Sequence, residues 1–151
     1  MSRNKRHCGI ECVFSQISDI WDFFDFSDMV LDGFFFKTID AFVYSNGKRI
    51  DVAETFSSDY FHELIKKKFV GELLVLHLYP ENAFTEDISN YKHFVQSKCE
   101  MIILLYDCYY LEVYCKNKLW LQKMINKAVH QPGTIVEKKY EETDTRTSMY
   151  V

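Results

Sequence analysis

The most constraining stretch of this 151-residue chain is Cys99 to Cys115, CEMIILLYDCYYLEVYC. Met101 to Tyr106 is an unbroken apolar run, the pattern of a strand buried on both faces. Beyond Asp107 and Cys108 the residues alternate, with Tyr110, Glu112 and Tyr114 on one side and Leu111, Val113 and Cys115 on the other. A period of two reads as a half-buried strand paired back on the first. Leu121, Met124, Ile125 and Ala128 then recur at helical spacing, predicting a helix near residues 117–129. Strand, reversal, strand, helix is a core unit, and it carries no chemistry of its own.

The rest of the chain reads in the same way. Residues 1–7 form a basic lead-in expected to fray. Residues 9–14 predict a strand with Glu11 against Ile10, Cys12 and Phe14. Ser15 is placed to cap a helix lined by Ile17, Ile20, Trp21 and Phe24. Phe34–Lys37 and Ile39–Tyr44 read as a strand pair, Asn46-Gly47 as a tight turn, and Arg49–Val52 as a polar edge strand. Ser57 or Ser58 begins a helix at about residues 59–67, with Tyr60, Phe61, Leu64 and Ile65 inward. Glu72–Tyr79 is a strand stopped by Pro80. Ser89 or Asn90 starts a short helix with Tyr91, Phe94 and Val95 inward. Thr134–Tyr140, after the turn at residues 131–133, is a last strand, and residues 141–151 are a polar tail that can fray. The expected architecture is α+β: one domain over 1–151, a mostly antiparallel sheet with three or four helices packed on it.

Composition narrows the function classes. Eighteen Lys and Arg against 22 Asp and Glu give a net charge of −4, which argues against nucleic acid, a ligand held largely through phosphate neutralisation. No apolar run approaches the roughly 20 residues of a membrane span, so no membrane partner is expected. Five cysteines, an odd number set mainly in apolar strands, read as reduced thiols, and with the absence of an apolar leader they point to the cytoplasm.

Several pieces together have a familiar look: Leu78-Tyr79-Pro80, Ser97-Lys98-Cys99-Glu100, Asp107, Tyr114-Cys115-Lys116 and Thr143-Asp144-Thr145-Arg146-Thr147. Over roughly residues 72–147 the chain resembles a family of small proteins from bacilli, domain of unknown function 2691. The resemblance implies a bacterial cytoplasmic setting. It brings no assigned activity and no functional residues.

Candidate sites follow from residue type and spacing. Cys8 and Cys12, with His7, have a spacing that can share a strand face, but a structural zinc site needs four ligands and no second pair exists. One core cysteine and one frayed one are the expectation, with no metal and no cofactor. Asp107, Glu112 and His77 form an acid/base set only if the fold brings them within hydrogen-bond reach. Trp120 is expected in the core, with an interface anchor as the alternative. No phosphate loop, nucleophile elbow or paired metal motif is present, so no catalytic residue is assigned.

Charge distribution carries the leading expectation. Asp19, Asp22, Asp25, Asp28 and Asp32 lie in one segment interleaved with Trp21, Phe23, Phe26 and Met29, which reads as a docking surface for a basic protein. The expected function is a small non-catalytic cytoplasmic protein-binding module of the immunity or inhibitor kind, in toxin or phage–host conflict, with a homodimer as another use of exposed aromatics. The alternative is a small-ligand binder that sequesters a nucleotide-like or other anionic metabolite through Arg146, Lys116, Lys123 and Lys127, with tyrosines for stacking.

Overall fold

The computed structural model describes residues 7–140 and Met149. Eight strands form one antiparallel sheet: β1 (His7–Val13), β2 (Phe34–Ser45), β3 (Lys48–Ile50), β4 (Thr55–Phe56), β5 (Val70–Pro80), β6 (Met101–Tyr106), β7 (Tyr110–Cys115) and β8 (Ile135–Tyr140). The spatial order is β3-β2-β5-β6-β7-β1-β8, with β4 also on β2. The helices are α1 (Ile17–Phe23), α2 (Ser58–Lys66), α3 (Tyr91–Gln96) and α4 (Lys118–Val129). The α+β, sheet-dominated architecture is the one the sequence predicts, and among the described residues no helix is long and apolar enough to cross a membrane.

The apolar run of β6 sits at the centre because it tolerates no polar side. Leu74, Leu76 and Leu78 of β5, Met101, Ile103 and Leu105 of β6, and Leu111, Val113 and Cys115 of β7 point to one face. Three helices close that face through Ile20 and Phe23 of α1, Phe61 and Leu64 of α2, and Leu121, Met124, Ile125 and Ala128 of α4. The opposite face carries Val75, Tyr79, Ile102, Leu104 and Tyr114, and is met by Ile88, Phe94 of α3, and Met149. Met149 also donates its N–H to the Ser89 carbonyl at 3.0 Å.

Local signals set the boundaries where they are strong. Ser57, Asn90 and Asn117 cap α2, α3 and α4 by accepting the N–H of Tyr60, His93 and Trp120, which satisfies donors that a helix start leaves orphaned. Asn46 (φ 52°) and Gly47 (φ 75°) make the β2–β3 turn as Asn-Gly predicts.

Five expectations change. Phe34–Lys37 and Ile39–Tyr44 are one strand, β2, because nothing at Thr38 reverses the chain; the β2–β5 register instead slips at Ile39, a bulge. The edge strand is Lys48–Ile50 rather than Arg49–Val52, and β4 follows it. Gln16, not Ser15, is at the α1 N-cap position, while the Ser15 hydroxyl donates to the Pro132 carbonyl at 3.2 Å. Val95 is 48% exposed rather than inward, since a six-residue helix buries chiefly Phe94. Strand β7 is buried on both faces from Leu111 to Cys115, Glu112 included, rather than half-buried.

Candidate functional site

The acidic segment runs along α1 and the connection to β2. Its apolar residues are the anchors of that connection. Phe23 (0% exposed), Phe24, Phe26 (2%), Met29 and Leu31 all enter the core. Phe24 and Phe26 contact Phe61 of α2 at ring-centroid distances of 5.5 and 5.8 Å. Full burial of such a side chain contributes about 2 kcal/mol, so Phe23 and Phe26 are withdrawn as contacts for a partner. Trp21 is half-buried and donates its indole N–H to the Phe69 carbonyl at 2.7 Å. What the segment exposes is Asp22, Asp25, Asp28, Asp32 and Val30, the last 75% exposed, with Asp19 half-buried.

Lys123 and Lys127 of α4 lie directly beneath this connection. Lys123 donates to the Asp28 carbonyl and Lys127 to the Asp25 carbonyl. Lys127 also reaches the Phe23 carbonyl at 3.4 Å and the Asp28 carboxylate at 3.8 Å. The Ser27 hydrogen bonds hold the Asp25 carboxyl below its usual range against the opposing effect of burial, and Lys127 and His62 also lower it. The acidic connection and the two lysines of α4 are therefore partners within one molecule. The segment carries five Asp against these two lysines, so it remains acidic.

Lys116 does not share that surface. It precedes α4, donates to the Ser97 carbonyl at 2.6 Å and lies 4.9 Å from the centre of the Phe94 ring. Burial lowers its pKa. A cavity of about 180 Å³ opens beside it, lined by Cys8, Tyr91, Phe94, Val95, Cys115, Lys116 and Lys118. Lys116 is thus separated from Lys123 and Lys127, and Arg146 lies outside the described residues.

Asp107, Glu112 and His77 do not converge. His77 pairs with Ile102, and Glu112 with Leu104 on the far side of β6. Two inter-strand spacings and two residues separate them, roughly 12 Å by sheet geometry. Asp107 is exposed in the β6–β7 connection, where it and Cys108 hold φ of 49° and 66° and their N–H groups donate to the Glu72 and Gly71 carbonyls, each at 3.0 Å. Its role there is backbone geometry. His77 is 1% exposed with neither ring nitrogen hydrogen-bonded, and burial pushes its pKa down to about 4.

Glu112 belongs to a different cluster, which sequence reading missed. Pairing aligns Glu112 with Glu11 of β1, and Glu11 with Glu137 of β8. Lys139 of β8 sits over this row, 3.3 Å from the Glu112 carboxylate and 3.6 Å from that of Glu11. The Tyr106 hydroxyl donates to Glu112 at 3.3 Å, and Tyr106 stacks on Tyr110 with centroids 5.6 Å apart. The only signal in the sequence was Glu11 within an apolar strand; its neighbours depend on β1 lying between β7 and β8.

Four of the five cysteines are buried, Cys8 included rather than frayed. Cys8 and Cys12 lie in the two different apolar clusters, on opposite sides of the sheet. Burial pushes the thiols of Cys12, Cys99 and Cys115 up to about 12. Among the described residues no group of three or more His, Cys, Asp or Glu is disposed to hold a metal. Trp120 is 6% exposed and packs edge-on to Phe34 with centroids 5.1 Å apart.

The uncharacterized protein YncE of Bacillus subtilis (strain 168) is 33% identical over 76 residues, half of this chain. The match likewise spans about half the length of that relative. No solved structure matches the chain. A family profile matches residues 35–150, most of the sequence, and the chain belongs to the bacterial family it describes, protein of unknown function (DUF2691).

Proposed function

We propose that this chain is a non-catalytic protein-binding module, of the immunity or inhibitor kind, whose recognition element is the acidic connection from Asp22 to Asp32. The observation that carries the reading is the alternation within that connection. Phe24, Phe26, Met29 and Leu31 are plugged into the core, while Asp22, Asp25, Asp28, Val30 and Asp32 are exposed. Lys123 and Lys127 hold its backbone from below. A loop fixed before encounter loses little conformational entropy on binding, and its carboxylates favour a basic protein surface with an apolar depression for Val30. The test is capture from bacterial lysate by the wild-type chain and by two variants, Asp22→Lys/Asp32→Lys and Val30→Asp. Neither variant touches an anchor. One basic protein held by the wild type, released by salt and lost in both variants at an unchanged Tm supports the reading. The same proteins retained by all three chains sink it.

A second reading is favoured by the cavity beside α3, where Tyr91 and Phe94 flank the ammonium groups of Lys116 and Lys118. Those residues suit a small anion with a planar apolar part. A thermal-shift screen with inorganic phosphate and nucleotides separates the two readings, because a ligand held by the native state raises Tm by linkage.

A further inference from the structure

Strand pairing aligns Phe42 of β2, Leu73 of β5, Tyr106 of β6, Tyr110 of β7, Val13 of β1 and Ile135 of β8 in a single row across the sheet. Residues paired across antiparallel strands share a face. Here it is the face of Leu104 and Tyr114, since Leu73 packs against their cluster. Ile88, Phe94 and Met149 close that cluster around Ile102 and Tyr114, which lie four residues along β6 and β7 from the row, roughly 13 Å. The row lies beyond this cover. Phe42, Tyr110 and Ile135 are 38%, 41% and 68% exposed, and Leu73, Tyr106 and Val13 are half-buried. Apolar and aromatic side chains running unbroken over about 24 Å of sheet mark an interaction surface, unlike hydrophobic residues scattered singly.

We propose that this row docks a basic amphipathic helix of another protein, on the side of the sheet opposite the acidic connection. The charges around the row select the occupant. The next row on the same face holds Asp40, Glu112, Glu11 and Glu137. Lys139 answers Glu11 and Glu112. Asp40 and Glu137 are exposed and, among the described residues, in no ion pair, and Asp107 is exposed at the hairpin end on the other side of the row. An apolar stripe bordered by carboxylates on both sides matches a helix whose apolar stripe is bordered by Lys and Arg. The same carboxylates repel a nucleic acid or an anionic membrane, and a second copy would bring an equally acidic face. Arg49 already lies over the Phe42 ring, 4.7 Å from its centre, a contact that a partner's cation can repeat on Tyr110. The row's length of about 24 Å is that of a helix of about 16 residues.

Two synthetic helical peptides of about 16 residues test the surface, one with Leu along one face and Lys along the other, one with Glu in place of Lys. Fluorescence anisotropy of each labelled peptide against the full chain, at physiological ionic strength, is expected to show binding of the Lys peptide alone. Ile135→Lys and Phe42→Lys, both at exposed positions, are each expected to raise its Kd roughly five- to ten-fold at an unchanged Tm. Val30→Lys is the matched control, the same change of charge at an exposed aliphatic residue of the acidic connection, and is expected to leave the Kd unchanged. Failure of the Lys peptide to bind overturns the proposal, as does equal binding of the two peptides. An effect of Val30→Lys alone, or equal effects of all three substitutions, places the peptide elsewhere and also overturns it. So does a dimer in sedimentation equilibrium that Ile135→Lys dissociates, since a second copy then occupies the row.

Discussion

Lys139 reaches across β1 to Glu112, placing its ammonium 3.3 Å from a carboxylate whose side chain is 4% exposed. The pair bridges two strands that do not touch. Removing one partner from a buried ion pair leaves the other charge uncompensated, which costs more than the pair itself contributes. Lys139→Met is therefore expected to destabilise the chain by about 2–3 kcal/mol, tempered by the remaining Tyr106 hydrogen bond. Glu112→Leu together with Lys139→Met is expected to recover most of that loss. Urea denaturation of the single and double variants measures both.

His77 predicts a pH dependence. Its pKa is about 4 in the fold and near 6.5 when unfolded, so below neutrality the unfolded chain binds the proton more readily. Its contribution is fully present above pH 6.5 and is lost as pH falls from 6.5 to 4, by about 3 kcal/mol in total. His77→Leu is expected to flatten the pH profile of stability across that window. At pH 7 it is expected to be neutral or mildly stabilising, because it removes two buried ring nitrogens that lack partners. Denaturation midpoints from pH 4 to 8 decide the matter.

Gly9 admits no side chain. A Cβ there would run into the Val113 carbonyl of the neighbouring strand, a backbone atom that cannot rotate away. Gly9→Ala is expected to cost about 3 kcal/mol or more, or to prevent β1 from joining β7. Gly47→Asn, at an open position with φ of 75°, is the mild comparison. Circular dichroism melts of the two variants give the contrast.

The thiols should separate by reactivity. Cys108 is half-buried in the β6–β7 connection, whereas the other four cysteines are buried. Burial and the nearby Glu72 and Asp107 carboxylates raise the Cys108 pKa, so its rate with a disulfide reagent climbs with pH into the alkaline range. One fast thiol per native chain is expected, lost in Cys108→Ser, with all five reacting in urea.

Much of this architecture was legible because it depends on short-range pattern. The β6–β7 hairpin, its following helix and the caps at Ser57 and Asn90, each one of two adjacent candidates, follow from spacing and from local hydrogen bonds. Pairing across long sequence separations was not legible. Phe23 and Phe26 looked like surface residues because acids flank them, yet only the approach of α2 shows where their rings go. Glu112 looked solvent-facing by alternation, and Lys139, 27 positions along the chain, is what compensates its burial. Thr38-Ile39 looked like a break between strands because a bulge and a turn both interrupt periodicity. The acidic run from Asp19 to Asp32 was visible, but the lysine contacts to the Asp25 and Asp28 carbonyls depend on α4 lying under the loop.

The position of β1 has a consequence for how the chain is made. Strand β1 leaves the ribosome ahead of both its neighbours in the sheet, β7 and β8. Until residues 110–140 have been synthesised it has no neighbour on either side, and its alternating apolar residues stay open to other chains. Closure of the sheet is thus a late, long-range event, of the kind that slows folding and leaves an unfinished chain prone to aggregate. Nascent chains truncated before Tyr110 are expected to call on chaperones that the finished protein no longer needs.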